Sequence, residues 1–130
     1  MLKVYPAIFE KDDVGYGIFF PDVENAVTQG ESIEDGLVMA SDALGIMLAS
    51  YLENSEALPS PTPIEDVKAE KGQFVTLVSV DLTEYLEMNE PIKKTLQIPK
   101  WADKIGQDMK LNFSKTLTEA IAEKATKKRA

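Results

Sequence analysis

Cysteine and histidine are both absent from the 130 residues. Without cysteine there is no disulfide and no thiol nucleophile, and the composition suits a reducing cytoplasm, where the protein is expected to reside. Without histidine the commonest general base and the commonest zinc ligand are missing. Together these gaps exclude most zinc sites and every Ser-His or Cys-His nucleophilic arrangement. No glycine-rich stretch has the spacing of a phosphate cradle, so neither a cofactor nor a metal is expected. Long apolar runs are lacking too. No segment approaches the ~20 apolar residues needed to span a bilayer. The opening Met1-Leu2-Lys3-Val4-Tyr5-Pro6 lacks the sustained apolar stretch of a secretory signal. No membrane partner is expected.

What is present is divided. The hydrophobic fraction of 44% permits a packed core, and the net charge of −8 conceals an asymmetry. Residues 1–86 hold four lysines against sixteen carboxylates, whereas residues 87–130 hold ten basic groups against six acidic ones. An acidic body is repelled by nucleic acid and a basic end is attracted to it. The chain therefore reads as an acidic unit, residues 1–88, tied to a basic one, residues 91–130, with the boundary at Asn89-Glu90-Pro91.

The basic unit opens with a strand pattern ending at Pro99. Leu96 and Ile98 fall on one face, Lys93, Thr95 and Gln97 on the other. The outward set is one cation and two side chains able to hydrogen-bond base edges. Pro99 stops the strand and suits a helix start. Trp101, Ile105 and Met109 then recur at a spacing of four. Asn112 is a candidate for a left-handed turn. Ser114 is the expected cap of a second helix with the apolar face Leu117, Ala120, Ile121 and Ala125. Some 36 residues of this kind fall below the ~40 at which a chain usually needs a staple or a partner. The simplest remedy is a second copy, the two strands pairing antiparallel around Leu96, Ile98, Trp101, Ile105, Leu117 and Ile121.

That β-α-α plan resembles the ribbon-helix-helix DNA-binding proteins, which read the major groove with a two-stranded ribbon. The resemblance rests on Lys93-Lys94-Thr95-Leu96-Gln97-Ile98-Pro99 and on Asn112-Phe113-Ser114-Lys115-Thr116. Lys94 departs from it, sharing the inward parity of Leu96 and Ile98, though its stem can lie on the core while its ammonium reaches water. The resemblance implies that Lys93, Thr95 and Gln97 face operator DNA. The N–H groups at Ser114, Lys115 and Thr116 would grip a phosphate.

The acidic unit reads as β-β-β-α-β, so the fold class is α+β. Leu2 to Phe9 is a strand pattern interrupted by Pro6, which favours an edge or a bulge. Val14 to Phe20 is the second arm of a hairpin, and Ala26-Val27-Thr28 a third strand. Ser32 caps the longest helix, with Glu31, Glu34 and Asp35 set against its positive end. The apolar face expected is Ile33, Leu37, Ala40, Leu44, Met47 or Leu48, and Tyr51, with Gly36, Ala40 and Ala43 letting a sheet approach. Pro59-Ser60-Pro61-Thr62-Pro63 is a stiff extended connector. Gln73 to Leu82 is apolar on both faces and so predicts a central or doubly covered strand. A short helix is expected between Asp81 and Met88.

Three stretches of this unit carry a second resemblance: Tyr5-Pro6-Ala7-Ile8-Phe9-Glu10, Gly15 to Val23 with its Phe-Pro-Asp turn, and Thr28-Gln29-Gly30-Glu31-Ser32-Ile33-Glu34-Asp35-Gly36. Together with the proline-rich exit they resemble the antitoxins of HicA–HicB type. The family implies an N-terminal half shaped like a partly degraded ribonuclease H fold that binds and blocks a small toxin. It implies that the toxin is similar to a double-stranded-RNA-binding domain and degrades mRNA, and that the C-terminal half binds the operator of its own operon. A protein that grips RNA presents a basic surface, for which an acidic unit is a suitable lid. Asp12, Asp13, Asp22 and Glu24, at turns between strands, are the candidate toxin contacts. The rival reading is a metal-dependent nuclease, since a ribonuclease H fold holds two metal ions on several carboxylates. Against it, the first strand shows Val4, Ala7, Ile8 and Phe9, with Glu10 only at its end.

Overall fold

The computed structural model describes residues 1–87 and 90–127. Met88, the tail from Lys128 onward and Asn89, the first residue of the expected boundary Asn89-Glu90-Pro91, lie outside the described residues. Strands β1 (Leu2–Lys11), β2 (Tyr16–Phe19) and β3 (Val27–Gly30) are followed by helix α1 (Ile33–Glu53) and strand β4 (Gln73–Asp81). They form one sheet in the order β3-β2-β1-β4, with every neighbouring pair antiparallel. Alternation places Tyr5, Ala7 and Phe9 of β1, Ile18 of β2 and Val78 and Val80 of β4 on one face, beneath Ala40, Leu44 and Leu48 of α1. Every buried residue of this core lies between Tyr5 and Leu82.

Two glycines set the distance between helix and sheet. A Cβ on Gly36 would stand 2.7 Å from the Phe9 ring, and one on Gly30 would stand 2.5 Å from the Gly36 backbone. This close approach corrects the expected helix face. The line that packs is Gly36, Ala40, Leu44 and Leu48, with Gly45 beneath Tyr85 and Ala49 also buried, while Ile33 and Leu37 stay exposed. Contact through the smallest residue of the first turn leaves its larger neighbours on the flanks. Ser32 caps α1 as expected, accepting from the Asp35 N–H at 3.1 Å, and the Asp35 carboxylate accepts from the Glu31 N–H at 2.9 Å. With 21 residues, α1 is by length and composition able to cross a membrane, contrary to the expectation that no segment approaches that size. Here one of its faces is the core of the domain.

Pro6 sits in an inner strand, not at the expected edge or bulge. The ladder explains why. The Leu82 N–H donates to the Met1 carbonyl and the Lys11 N–H to the Gly72 carbonyl, so odd residues of β1 bond to β4 and even ones face away. β2 pairs with β1 only from Ile8 onward. The missing N–H of Pro6 therefore points where no strand lies. β4 is a further correction, because it is an edge strand and not a central one. Its Val78 and Val80 are buried, but Leu77 on the opposite face is 49% exposed.

The expected helix after β4 is a single 3-10 turn, Leu82–Tyr85. The proline-rich connector is tied down at two points. The Tyr5 hydroxyl donates to the Pro59 carbonyl at 2.5 Å. The Asp22 carboxylate accepts from the Thr62 N–H at 2.8 Å and from its hydroxyl at 2.6 Å.

The C-terminal unit contains α2 (Lys100–Asp108) and α3 (Phe113–Lys127). Between them the left-handed residue is Lys110, with φ of 56°, and not Asn112. Asn112 instead caps α3, its side chain accepting from the Lys115 N–H at 3.1 Å, so Ser114 lies within the helix. Asparagine and serine are comparable caps, and the residue two ahead of Ser114 took the role. The Phe113 ring covers Gly106, where a Cβ would meet it at 2.3 Å, and this joins the two helices. Residues 90–99 form no strand within the chain. A strand exists only when its N–H and C=O groups have a partner strand, and one chain supplies none here.

Candidate functional site

The C-terminal unit presents side chains that a folded core would normally cover. Trp101 is 68% exposed, Ile121 59% and Leu96 57%, and Ile98, Ile105 and Leu117 are exposed as well. α3 is two-sided. Lys115, Thr118, Ala122 and Thr126 line a groove against Met1, Lys3, Thr83 and Leu86 of the N-terminal unit. Helical geometry puts Leu117 and Ile121 on the opposite side, so the contact leaves the apolar face open. All six residues expected at the paired core thus remain uncovered in one chain.

Lys93, Thr95 and Gln97 are exposed in the unpaired segment leading to α2. At the start of α3 the amides are partly committed. The Lys115 N–H goes to the Asn112 side chain and the Thr116 N–H to the Asn112 carbonyl at 2.9 Å. Among the described residues no partner is found for the N–H groups of Phe113 and Ser114. Of the three amides expected to grip a phosphate, only that of Ser114 is open. The Lys115 ammonium lies 3.9 Å from the Glu119 carboxylate, a loose solvent-exposed pair.

The four acidic turn residues divide evenly. The Asp12 carboxylate accepts from the N–H groups of Val14 at 2.9 Å and Gly15 at 2.8 Å, holding the hairpin turn. Asp22 holds the proline-rich connector through Thr62. Its charge also helps to push the Tyr5 phenol up to about 12, after burial, the larger cause, with Tyr51 contributing less. Asp13 and Glu24 are exposed and make no hydrogen bond or ion pair among the described residues. Two of the four candidates therefore have structural duties and two face solvent. Sequence reasoning could place all four at turns but could not see Thr62, 40 residues from Asp22.

Glu10, the one acid near the end of β1, accepts from the Gln73 side chain at 3.2 Å across the β1–β4 pair. Among the described residues no three carboxylates converge to hold a metal.

A profile of the HicB-like antitoxins of bacterial toxin–antitoxin systems matches residues 5–120. The chain belongs to that family. It is 45% identical to a chain of the toxin–antitoxin complex from Streptococcus pneumoniae, covering 95% of this chain and 99% of that one, with a TM-score of 0.62. The crystal structure of the Burkholderia pseudomallei antitoxin HicB matches at 25% identity and a TM-score of 0.62, over 92% of this chain and 96% of that one. Antitoxin HicB of Escherichia coli K12 is 38% identical over 93 residues. These span 72% of this chain and 64% of that relative. The family expected from the Phe-Pro-Asp turn and the Thr-Gln-Gly lead into α1 is thus the family found, and the mixed α+β fold agrees with its solved members.

Proposed function

We propose that this antitoxin neutralises a small basic toxin of HicA type with its acidic N-terminal unit, and represses its own operon through a paired C-terminal unit, in the cytoplasm and without enzymatic activity of its own. The observation that carries the DNA half is the open apolar face of residues 96–121, which one chain cannot cover. Pairing two chains would turn residues 92–98 into an antiparallel ribbon of ribbon-helix-helix type. Leu96 and Ile98 would then point inward, and Lys93, Thr95 and Gln97 of both copies outward into a major groove. In this reading the Ser114 N–H, with the Lys115 and Thr116 side chains, would hold a backbone phosphate at the start of α3.

For the toxin half the support is electrostatic and topological. The N-terminal unit carries four lysines against sixteen carboxylates up to residue 86 and has a complete core of its own. A partner that binds RNA must be basic, and its approach to such a surface is steered. Asp13 and Glu24 are the free carboxylates that this reading favours as contacts. The likeness to a degraded ribonuclease H fold belongs to the same proposal, the nuclease rival being weakened by the scattered carboxylates.

Co-expression of residues 1–87 with the neighbouring toxin gene tests the division of labour. Growth is expected to recover. Recovery with residues 90–130 alone, and none with 1–87, would reverse it.

A further inference from the structure

We propose, resting on the reading above that the N-terminal unit neutralises a basic toxin, that the toxin docks along the outer edge of β3 and extends the sheet there with a strand of its own. The charge of the N-terminal unit is one-sided. Residues 12–67, which take in β2, β3, α1 and the proline-rich connector, hold twelve carboxylates and neither lysine nor arginine. The four lysines of the unit, Lys3, Lys11, Lys68 and Lys71, stand in β1 or just ahead of β4. With the strands in the order β3-β2-β1-β4, the cations lie on the far half of the sheet and β3 is its acidic edge. A basic partner approaching this unit is steered to that side.

The two free turn carboxylates frame the edge. Glu24 stands two residues ahead of Ala26, at the start of β3. At the other end Glu31 follows Gly30, and Asp13 of the hairpin turn lines the same groove as Glu31, with Lys11 as the one cation beside them. Between these ends the backbone is open. The Phe20 N–H donates to the Ala26 carbonyl at 3.2 Å, so Ala26, Thr28 and Gly30 turn their groups towards β2, while Val27 and Gln29 turn theirs outward. The Val27 N–H donates to the Asn25 carbonyl at 3.1 Å. Among the described residues three outward groups remain open: the Val27 carbonyl and both groups of Gln29. An antiparallel strand laid on this edge would exchange both bonds with Gln29 and give one to Val27, the way extended segments are taken up by a sheet.

Side chains around the edge suit the same occupant. Val27, 67% exposed, stands on the face of the sheet away from α1, and Met39 of α1, 40% exposed, lines a groove with Gln29 and Glu31 on the other. Apolar contact and backbone bonds are thus offered at the centre, and negative charge at both ends. A second copy laid antiparallel on β3 would bring carboxylate against carboxylate at those ends, and nucleic acid would be repelled along the whole edge. A basic protein meets neither penalty.

The test uses the full-length chain and the purified product of the neighbouring toxin gene. Amide exchange read by NMR should slow by at least about tenfold at Gln29 in the complex, and stay unchanged over residues 64–67 beside β4. Gln29→Pro, which removes an outward N–H and spares the β2 ladder, should weaken toxin binding by at least about tenfold. Glu24→Lys combined with Glu31→Lys should slow association and flatten its salt dependence. The same change of charge at Glu65 and Asp66 should alter affinity by less than about threefold. A toxin that binds while the Gln29 amide exchanges as in the free chain, and that binds Gln29→Pro and the Glu24→Lys, Glu31→Lys variant as tightly as the wild type, would overturn docking at β3 and leave the toxin reading standing. No binding by the wild-type chain at tens of micromolar would contradict the toxin reading itself, and this proposal with it.

Discussion

Replacing Leu96 by alanine probes the pairing of the C-terminal units. Leu96 is 57% exposed in one chain, so pairing has more than half of the side chain still to bury. Full burial of a leucine is worth ~1.5–3 kcal/mol, and the fraction gained here is therefore about 1–1.5 kcal/mol per copy. Symmetry doubles it to ~2–3 kcal/mol per pair, which raises the dissociation constant about 30- to 150-fold. Trp101 supplies the assay, being the only tryptophan and 68% exposed before pairing. Its emission should move to the blue as the concentration rises through the dissociation constant. Leu96→Ala should displace that transition by one and a half to two decades, and Leu96→Asp should abolish it by burying an unpaired carboxylate. A solvent-like emission maximum at every concentration up to tens of micromolar would refute the paired face, whatever the N-terminal units do.

Two further outcomes concern the N-terminal unit. Asp22→Ala removes the two hydrogen bonds that hold Thr62, one of them 2.6 Å long, and should lower stability by ~1–3 kcal/mol with earlier proteolysis between residues 58 and 67. Urea melts and limited digestion read both effects. Tyr5 keeps its proton up to about 12 in the folded state, against about 10 unfolded. The folded state thus binds the extra proton, so this contribution is intact below pH 10 and lost as the pH rises from 10 towards 12. Tyr5→Phe should flatten that alkaline slope. An unchanged slope would mean that another group sets it.

Much of the fold was legible because local patterns and tertiary contacts agree. Ser32 caps α1, alternation orders the strands, and the turn and lead-in residues carry the family. The misreadings share one cause, the absence of neighbours from a sequence. β4 is apolar on both faces, a pattern that does not tell a central strand from an edge. Pro6 is tolerated inside the sheet because β2 is too short to reach it. Ile33 and Leu37 keep the helical period but lose the core to Gly36, since Phe9 fits only beneath a residue without a side chain. Asp22 and Asp13 look alike as turn acids, and only Thr62 tells them apart. The expected strand before Pro99 needs a second chain to become one.

The most direct test of the central claim is an anisotropy titration of the full-length chain on the DNA upstream of its own operon and on a scrambled duplex, at two salt concentrations. Gln97→Ala is expected to weaken operator binding by ~1–3 kcal/mol and to leave the scrambled duplex almost unaffected, as a base-reading side chain should. Lys115→Ala should weaken both equally and reduce the salt dependence. If Gln97→Ala and Thr95→Ala both left the preference for operator intact, the segment before Pro99 would not be the reading element, and the ribbon account of this antitoxin would be contradicted.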